Sequence, residues 1–318
     1  MQISVAICTR NRARQLSEML ETAAAMRVPP GLAWEVLIVD NGSTDNTPQV
    51  VEGFAARLPI RRVFEGTPGL SNARNKGVAE ARGAYICWTD DDVLLDPDWL
   101  AAYAEAFAEH PEAAVFGGRV MPVLQPPTPG WFMEVQRDGT LDNLLAKRDF
   151  GAQGRVLSLT DGRSLPYGAN YAIRTADQRK CLYDPRFGVS PDHKRLGEET
   201  RVFAALGEAG EIGWWVPGAK VNHIIPATRQ TIRYALQYFM SAGETWALER
   251  QIEPHRLSHS SLPANISPML MQWMAVKHLL RFAWFWALRR PGVWVHDLHI
   301  AGFYRGALSY RRHAQMKG

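Results

Sequence analysis

Three adjacent aspartates, Asp90–Asp92, form the segment of this sequence best suited to chemistry. They follow the apolar run 84–88, which predicts a buried strand. Neighbouring carboxylates repel one another, and Mg²⁺ or Mn²⁺, which prefer carboxylate oxygens, would remove that repulsion. Such a cation is usually held by one or two carboxylates together with the phosphates of a substrate. The triplet therefore indicates a metal–diphosphate site at a strand end, with an acidic loop that caps the next helix as the alternative.

The first hundred residues alternate strands and helices in an order that predicts a parallel sheet. Apolar runs predict strands over 3–8, 34–39, 60–64 and 84–88, and helical patterns cover 14–25, 47–56 and 70–81. A βαβαβαβ order implies parallel strands with right-handed crossovers, and ligands bind beyond the carboxyl ends of such strands. Thr9, Asp40 and Asp90–Asp92 lie at these ends, so three segments should converge on one rim.

The rest of the chain is less regular. It predicts strands over 165–174 and 214–225 and helices over 197–209 and 230–250. The 318 residues are 46% hydrophobic, which is ordinary for a globular protein. Three widely spaced cysteines and an N-terminus without a signal-peptide layout lead us to expect reduced thiols and a cytoplasmic location.

Several segments together resemble the family 2 glycosyltransferases of GT-A fold. They read VAICTRNR (5–12), VLIVDNGSTD (36–45), NARNKG (72–77), DDD (90–92), GANYAIR (168–174), GEE (197–199) and PGAKVNH (217–223). Each motif alone is weak, and the combination, which spans residues 3 to about 225, is specific. The resemblance implies an α/β fold: a GT-A Rossmann-like mixed sheet flanked by helices over 1–225. A helical, basic, tryptophan-rich appendage covers 226–318.

The resemblance implies a nucleoside-diphosphate sugar as the donor, with UDP the expected nucleotide and GDP and dTDP open alternatives. Asp40 matches the family's nucleotide-binding aspartate, and a carboxylate there can accept from a uracil imide or a ribose hydroxyl. Its alternative role is to cap the following turn. Thr9 and Arg74 match positions that line the same pocket, although a solvated basic face would also explain Arg74. The further implied donor-binding residues are Asn11, Arg12, Asn41, Asp90 and Asp91.

The resemblance places the divalent cation, Mn²⁺ or Mg²⁺, on Asp92, whose spacing to Pro97 matches the family register. Asp90 would then contact a ribose or a metal-bound water. His223 matches a histidine that in many GT-A enzymes completes the metal sphere, and the alternative is an ordinary buried polar residue. Imidazole is a plausible ligand for Mn²⁺, though carboxylate and water are more usual.

The implied reaction is an inverting single displacement in glycan or exopolysaccharide synthesis. An acceptor hydroxyl attacks the anomeric carbon, and a carboxylate takes its proton. Glu198 and Glu199 occupy the position of the family's Glu-Asp pair, whose second member is the base, so Glu199 is the expected base and Glu198 the alternative. Because Glu199 shares a helical face with Val202 and Phe203, we expect it to point inward and Glu198 to be more exposed. Another reading of both glutamates is favourable placement at a helix N-terminus.

The acceptor side is less defined, and Trp131 and Asn170 are its candidates. A tryptophan after a Pro/Gly loop can stack on a sugar face, and core packing is the alternative. A competing function from another class is a non-catalytic sugar-nucleotide or glycan-binding module on the same fold. No glycine-rich loop follows the first strand, which argues against a nucleotidyltransferase or a dehydrogenase.

The C-terminal third carries most of the positive charge. Residues 219–318 hold 13 Lys/Arg against 4 Asp/Glu, while residues 1–218 hold 23 against 28. Residues 266–290 predict an interfacial amphipathic helix whose polar arc contains Lys277, His278, Arg281 and Arg289. Basic residues mixed with tryptophan indicate an anionic membrane surface, contacted through 266–318 at the inner face, and not nucleic acid. The alternative for residues 266–290 is a helix that packs against protein. The expected acceptor is a saccharide or a lipid-linked sugar.

Overall fold

The structure, a computed structural model, describes residues 1–252 and 266–315, with side chains as far as residue 312. Within these residues the strands are β1 Ile3–Thr9, β2 Trp34–Asp40, β3 Ile60–Phe64, β4 Tyr85–Asp90, β5 Val93–Leu95, β6 Ala113–Leu124, β7 Arg155–Leu157, β8 Asn170–Arg174 and β9 Ile212–Ile225. The helices are α1 Ala13–Ala24, α2 Thr47–Gly53, α3 Leu70–Glu80, α4 Trp99–Glu109, α5 Gly130–Arg137, α6 Thr175–Gln178, α7 Glu198–Glu208, α8 Ile232–Ile252, α9 Pro268–Ala287 and α10 Pro291–Gln315.

One mixed sheet organises the first two thirds of the chain. Its strand order is β3-β2-β1-β4-β8-β6-β9-β5, and β7 pairs with β9. The first four strands are parallel, as the alternating pattern predicted. Beyond β4 the pairs are antiparallel: β8 lies against β4 and β6, and β5 lies against β9. The sheet is therefore of the mixed GT-A type that the resemblance implied.

Alternating side chains of the parallel strands form two cores on opposite faces of the sheet. Val5 and Ile38 belong to the core that includes α1 and α4, where Leu16, Met19, Leu20 and Ala23 of α1 are all buried as predicted. Leu37 and Trp88 belong to the other core, which includes α3 and α7. Helices on both faces leave the carboxyl ends of the strands as the place where polar residues can gather.

The chain divides into two compact units, and the division differs from the predicted boundary. The first unit comprises 1–123, 146–193 and 197–224, and the second comprises 124–145, 194–196 and 225–318. One change of unit falls between residues 224 and 225, and the segment 124–145 belongs to the same unit as the C-terminal helices. Apolar residues explain this, because Phe132 and Leu141 share a core cluster with Phe239 and Trp294.

The second unit is built around the helices α8, α9 and α10. Helix α9 begins where Ser267 caps its first turn, accepting from the Leu270 amide at 3.2 Å, and Pro268 occupies the first helical position. Helix α10 packs against both α8 and α9. In the part of the chain that the structure describes, no helix combines the length and the apolar content that crossing a bilayer requires.

Helix α9 differs from the predicted amphipathic arrangement at His278, while Lys277, Arg281 and Arg289 of the predicted polar arc are exposed. His278 is buried, and its Nδ1 lies 2.6 Å from the buried Asp297 of α10, to which Arg281 Nε also donates at 2.9 Å. The polar arc is thus partly internal, while apolar side chains such as Trp273 and Leu280 are exposed. The physical reason is that the buried carboxylate of Asp297 needs cationic and hydrogen-bonding partners.

Candidate active site

The polar ends of β1, β2 and β4 meet at one edge of the sheet. Thr9 is opposite Asp40 in the register of β1 and β2, and Cys8 is opposite Asp90 in that of β1 and β4. Parallel strands end on the same side, so the predicted convergence of these segments is confirmed.

Asp91 lies inside the protein and orients its neighbours. It is buried, accepts from Thr9 Oγ1 at 2.8 Å, and forms an ion pair with Arg12 Nη1 at 2.6 Å. Burial raises the pKa of Asp91 and is only partly opposed by Arg12. Asp91 thus has internal contacts that position Thr9 and Arg12, and its contact with the donor stays a prediction.

Asp92 lies between two basic side chains. Its Oδ2 accepts from Arg12 Nη1 at 3.0 Å, and its Oδ1 is 3.6 Å from His223 Nε2. The register of β5 and β9 places His223 opposite Val93, which explains why two residues so distant in sequence meet.

This pair fits a cation that is shared with a substrate better than one fully enclosed by protein. Among the residues described, no group of three or more His, Cys, Asp or Glu side chains is arranged to hold a metal ion. A carboxylate and an imidazole nevertheless suffice when diphosphate oxygens supply further ligands. Asp90, whose side chain is 38% exposed, adds a carboxylate at the same strand end.

Asp40 is buried and engaged at both oxygens. Oδ1 accepts from the Ser43 amide at 2.8 Å, and Oδ2 pairs with Arg62 Nη1 at 2.9 Å. The first contact is the turn-capping role that was the alternative to nucleotide binding. A nucleotide at this position would have to share the carboxylate with Arg62.

Asn11 and Asn41 tie loops together. The Oδ1 of Asn11 accepts from the Thr44 amide at 2.7 Å, and Asn11 itself has a φ of 53°, a conformation that asparagine tolerates. Asn41 Nδ2 donates to the carbonyls of Glu65 and Thr67, while its Oδ1 accepts from the Gly69 amide. The side-chain amide of Asn41 therefore braces these loops, and its contact with the donor stays a prediction.

Arg74 is the buried cation of the site, which excludes the alternative of a solvated basic face. Its Nη1 lies 3.2 Å from Glu198 Oε1, and its Nη2 lies 3.9 Å from Asp90 Oδ1. The guanidinium also stacks over the rings of Tyr171 and Tyr183. One cation therefore contacts carboxylates from β4 and from α7.

Two carboxyl groups around Arg74 have strongly altered acidity. Loss of hydration next to the surrounding protein, with smaller contributions from neighbouring carboxylates, raises the pKa of Asp90 to about 7 and that of the buried Glu198 to about 8, although Arg74 acts in the opposite direction. Such clusters of perturbed carboxyls in a rim site are typical of catalytic centres.

Glu198 and Glu199 are oriented differently from the prediction. Glu198 is the buried member of the pair and Glu199 is half-buried, so the expectation that Glu199 points further inward is wrong. The ion pair with Arg74 explains this burial of Glu198. Glu199 Oε1 instead accepts from the Gly168 amide at 3.2 Å, which leaves its carboxylate at the more accessible side.

The two acceptor-side candidates have structural contacts. Asn170 is fully buried, accepts from Trp99 Nε1 and Tyr103 Oη, both at 2.8 Å, and donates to the carbonyls of Arg119 and Ala219. An amide used in this way has no free donor or acceptor atom for an acceptor sugar, so the contacts of Asn170 do not support that prediction. Trp131 belongs to the second unit and is in ring contact with Phe132 and Trp294. Its acceptor role stays a prediction.

Sequence reasoning missed several supporting residues. Gly168 lies against both Arg74 and Glu199. A Cβ added to Gly168 would lie 3.1 Å from Arg74 Nη2 and 3.1 Å from Glu199 Oε1. Tyr171 and Tyr183, whose hydroxyls are 2.6 Å apart, wall off the guanidinium of Arg74. The signal for Gly168 was its place in the motif GANYAIR, whereas nothing local marked the tyrosines.

Comparison with known proteins agrees with this architecture. The model of Glycosyl transferase family 2 matches residues 4–140. Succinoglycan biosynthesis protein ExoM of Rhizobium meliloti is 27% identical over 247 residues, which cover 77% of this chain and 74% of the relative. A glucosyl-dolichyl phosphate glucuronosyltransferase of Haloferax volcanii is 28% identical over 232 residues, which cover 70% and 69%.

Solved structures share the fold. Residues 1–349 of S. aureus TarS, in complex with UDP-GlcNAc, match with a TM-score of 0.54 and 16% identity, over 98% of this chain and 92% of that one. The mannosyltransferase PcManGT from Pyrobaculum calidifontis, in complex with GDP-Man and Mn²⁺, matches with a TM-score of 0.61 and 18% identity, over 99% and 87%.

Proposed function

Because the chain belongs to glycosyl transferase family 2 and is a glycosyltransferase, we propose that it performs an inverting, metal-dependent transfer. The donor is a nucleoside-diphosphate sugar, and the acceptor is a hydroxyl of a saccharide or a lipid-linked sugar. The observation that carries the proposal is the approach of Asp92 Oδ1 to His223 Nε2, 3.6 Å apart, at the carboxyl end of the parallel strands.

Asp92, His223 and Asp90 are the residues that would hold Mn²⁺ or Mg²⁺. The ion, when bound, would stabilise negative charge on the leaving diphosphate. Arg12 supplies a fixed positive charge beside Asp92, and Arg74 supplies a second one beside Asp90. Both arginines are anchored by carboxylates, so they hold their charges in place without reorganisation as the diphosphate departs.

Glu199 is the proposed general base. Its carboxylate is oriented by the Gly168 amide and is more accessible than that of Glu198, which is held by Arg74. A positioned carboxylate takes the proton of the attacking hydroxyl as the bond to the anomeric carbon forms. Glu198, with its raised pKa, is the better candidate for holding a proton and positioning Arg74.

The nucleotide is proposed to be UDP. TarS is described in complex with UDP and UDP-GlcNAc, which supports this choice, while PcManGT, in complex with GDP-Man and Mn²⁺, keeps GDP as a second candidate. The relatives ExoM, a succinoglycan biosynthesis protein, and a glucosyl-dolichyl phosphate glucuronosyltransferase support a polysaccharide or lipid-linked acceptor. A peripheral position at the inner membrane face, through residues 266–318, would suit the second kind of acceptor.

The test is nucleotide release from UDP- and GDP-sugars by the full chain, with Mn²⁺, with Mg²⁺ and with EDTA. We expect release that needs the cation and is lost in Asp92→Asn, a change that preserves shape and removes charge. Asp192→Asn, at an exposed position, is the matched control. Metal-independent release, or normal release by Asp92→Asn, would contradict the proposed metal site. Cation-dependent nucleotide binding without any transfer would favour the non-catalytic binding module.

A further inference from the structure

Helix α9 presents a continuous apolar surface to solvent. Met269, Trp273, Val276, Leu280 and Trp284 recur every three or four residues and therefore share one side of the helix. Leu280 is 69% exposed and Trp284 is 65% exposed. We call these five residues the α9 outer face. Exposed apolar surface of this kind in a folded unit marks an interaction site.

A groove within the second unit opens beside this face. Its volume is about 410 Å³, and its lining comes from α8, α9 and α10: Met240, Gln272, Ala275, Val276, Leu279, Arg305, Leu308, Ser309 and Arg312. Val276 belongs both to the groove and to the α9 outer face, so the two surfaces are continuous. The walls are mainly aliphatic.

Two arginines give the groove its charge. Arg305 and Arg312 are seven residues apart on α10, two helical turns, and so project from the same side. No acidic residue is among the described side chains that line the groove, and neither arginine forms an ion pair with a described residue. Arg281 of α9, in contrast, already binds the buried Asp297.

We propose that this groove binds the phosphate-bearing headgroup of an anionic membrane lipid, with the acyl chains lying along the α9 outer face. Paired guanidiniums suit phosphate oxygens, and the aliphatic walls suit the carbon chain, which a free phosphate would leave unused. The inference rests on the proposed membrane contact and deepens it, because it moves the headgroup site from the basic arc of α9 to two arginines of α10.

The experiment is flotation of the full chain with vesicles of phosphatidylcholine alone and of phosphatidylcholine mixed with phosphatidylglycerol. We expect binding to the mixed vesicles only. The double variant Arg305→Gln/Arg312→Gln should bind about 30-fold more weakly, since each basic side chain near an anionic surface contributes about 1 kcal/mol. Arg305→Lys/Arg312→Lys retains the charge and should lose much less.

The matched control is Arg289→Gln/Arg290→Gln, which removes the same charge from exposed arginines outside the groove. Equal losses from the two double variants would overturn the groove in favour of diffuse attraction. Equal binding to neutral vesicles would also overturn it. A chain that ignores vesicles and dimerises, with dimerisation lost in Leu280→Ser, would assign the α9 outer face to a second copy. Metal-dependent nucleotide release, measured on the same variants, should be unchanged, which separates failure of this proposal from failure of the proposed reaction.

Discussion

At the residue scale, the three adjacent aspartates have different surroundings, so their substitution should have different effects. Asp91 holds Thr9 and Arg12, so Asp91→Ala leaves a partly buried guanidinium with one carboxylate fewer. We expect the free energy of unfolding to fall by about 2–4 kcal/mol, as is usual when one partner of a buried ion pair is removed. Urea unfolding measures the loss, with Asp192→Ala as the exposed control. A change within about 0.5 kcal/mol would show that Asp91 is not a structural carboxylate.

Substitution of the two glutamates that begin α7 should affect different kinetic quantities, the transfer rate for Glu199 and the donor affinity for Glu198. Glu199→Gln keeps the side-chain shape and removes the proton acceptor, so transfer should fall by about 10²–10⁴-fold while donor affinity stays. Glu198→Gln should mainly weaken donor binding, because it alters the contact of Glu198 with Arg74, whose Nη1 lies 3.2 Å from Glu198 Oε1. Initial rates and nucleotide titrations on both variants test this. If Glu198→Gln were inactive and Glu199→Gln active, the two roles would be exchanged.

Glu198 also predicts a pH dependence of stability. Its pKa is raised from the ordinary value of 4.5 to about 8 in the folded protein. The folded state therefore holds a proton that the unfolded chain releases above pH 4.5, and the associated stability is lost as the pH rises through 8. Relative to wild type, Glu198→Gln should therefore become more stable by about 4 kcal/mol between pH 5 and pH 9, because each unit of pKa shift corresponds to about 1.36 kcal/mol. Urea unfolding at several pH values measures the difference, and a parallel dependence in both proteins would refute the raised pKa. Glu105→Gln, at an exposed position, is the control.

At the element scale, glycines set the packing of the C-terminal helices. A Cβ on Gly306 of α10 would overlap the backbone carbonyl of Met240 in α8, and one on Gly243 of α8 would overlap that of Phe303. Gly306→Ala should therefore force the helices apart and cost about 3 kcal/mol or more. Hydrogen exchange in α8 and α10 measures the loosening. Gly53→Ala, where a Cβ meets nothing within 4 Å, is the control and should be neutral or slightly stabilising. Unchanged exchange in Gly306→Ala would contradict the packing.

Local patterns were sufficient for β1 to β4 and their helices, because β1, β2 and β4 are continuous apolar runs and the helices show periodic apolar positions. They did not reveal β5 or β6, whose pairing depends on strands far along the chain. The same limit applies within the site. The predicted strand ends were enough to place Thr9, Asp40 and Asp92 at one edge of the sheet. The helical spacing of α7, in contrast, could not show that Glu198 would be buried against Arg74. Likewise, the pattern of α9 predicted an exposed His278, because it could not show that Asp297 of α10 would provide a buried partner.

At the scale of the whole molecule, the excess of positive charge lies in the C-terminal third of the chain, most of which belongs to the second unit. Residues 219–318 carry 13 basic against 4 acidic residues, while residues 1–218 carry 23 against 28. The acidic part contains the carboxylates proposed to need a cation, and the basic part contains the groove with Arg305 and Arg312. The positive charge that an anionic donor and an anionic lipid would meet thus comes from different sources in the two proposed sites. If the proposed function holds, the donor would need a metal ion to approach Asp90 and Asp92, whereas the lipid would meet the positive charge of Arg305 and Arg312 directly.

This division predicts that nucleotide and metal stabilise only part of the chain. Ligand that binds the folded state alone stabilises it by about 2.7 kcal/mol when its concentration is 100 times Kd. UDP with Mn²⁺ should therefore raise the Tm of the unit formed by 1–123, 146–193 and 197–224, and EDTA should remove most of that gain. Differential scanning calorimetry with UDP, GDP and dTDP measures the shift of this unit against that of the unit containing the C-terminal helices. Asp92→Asn should lose the metal-dependent part of the shift. An equal shift without metal, or one retained by Asp92→Asn, would mean that the nucleotide binds without the proposed cation.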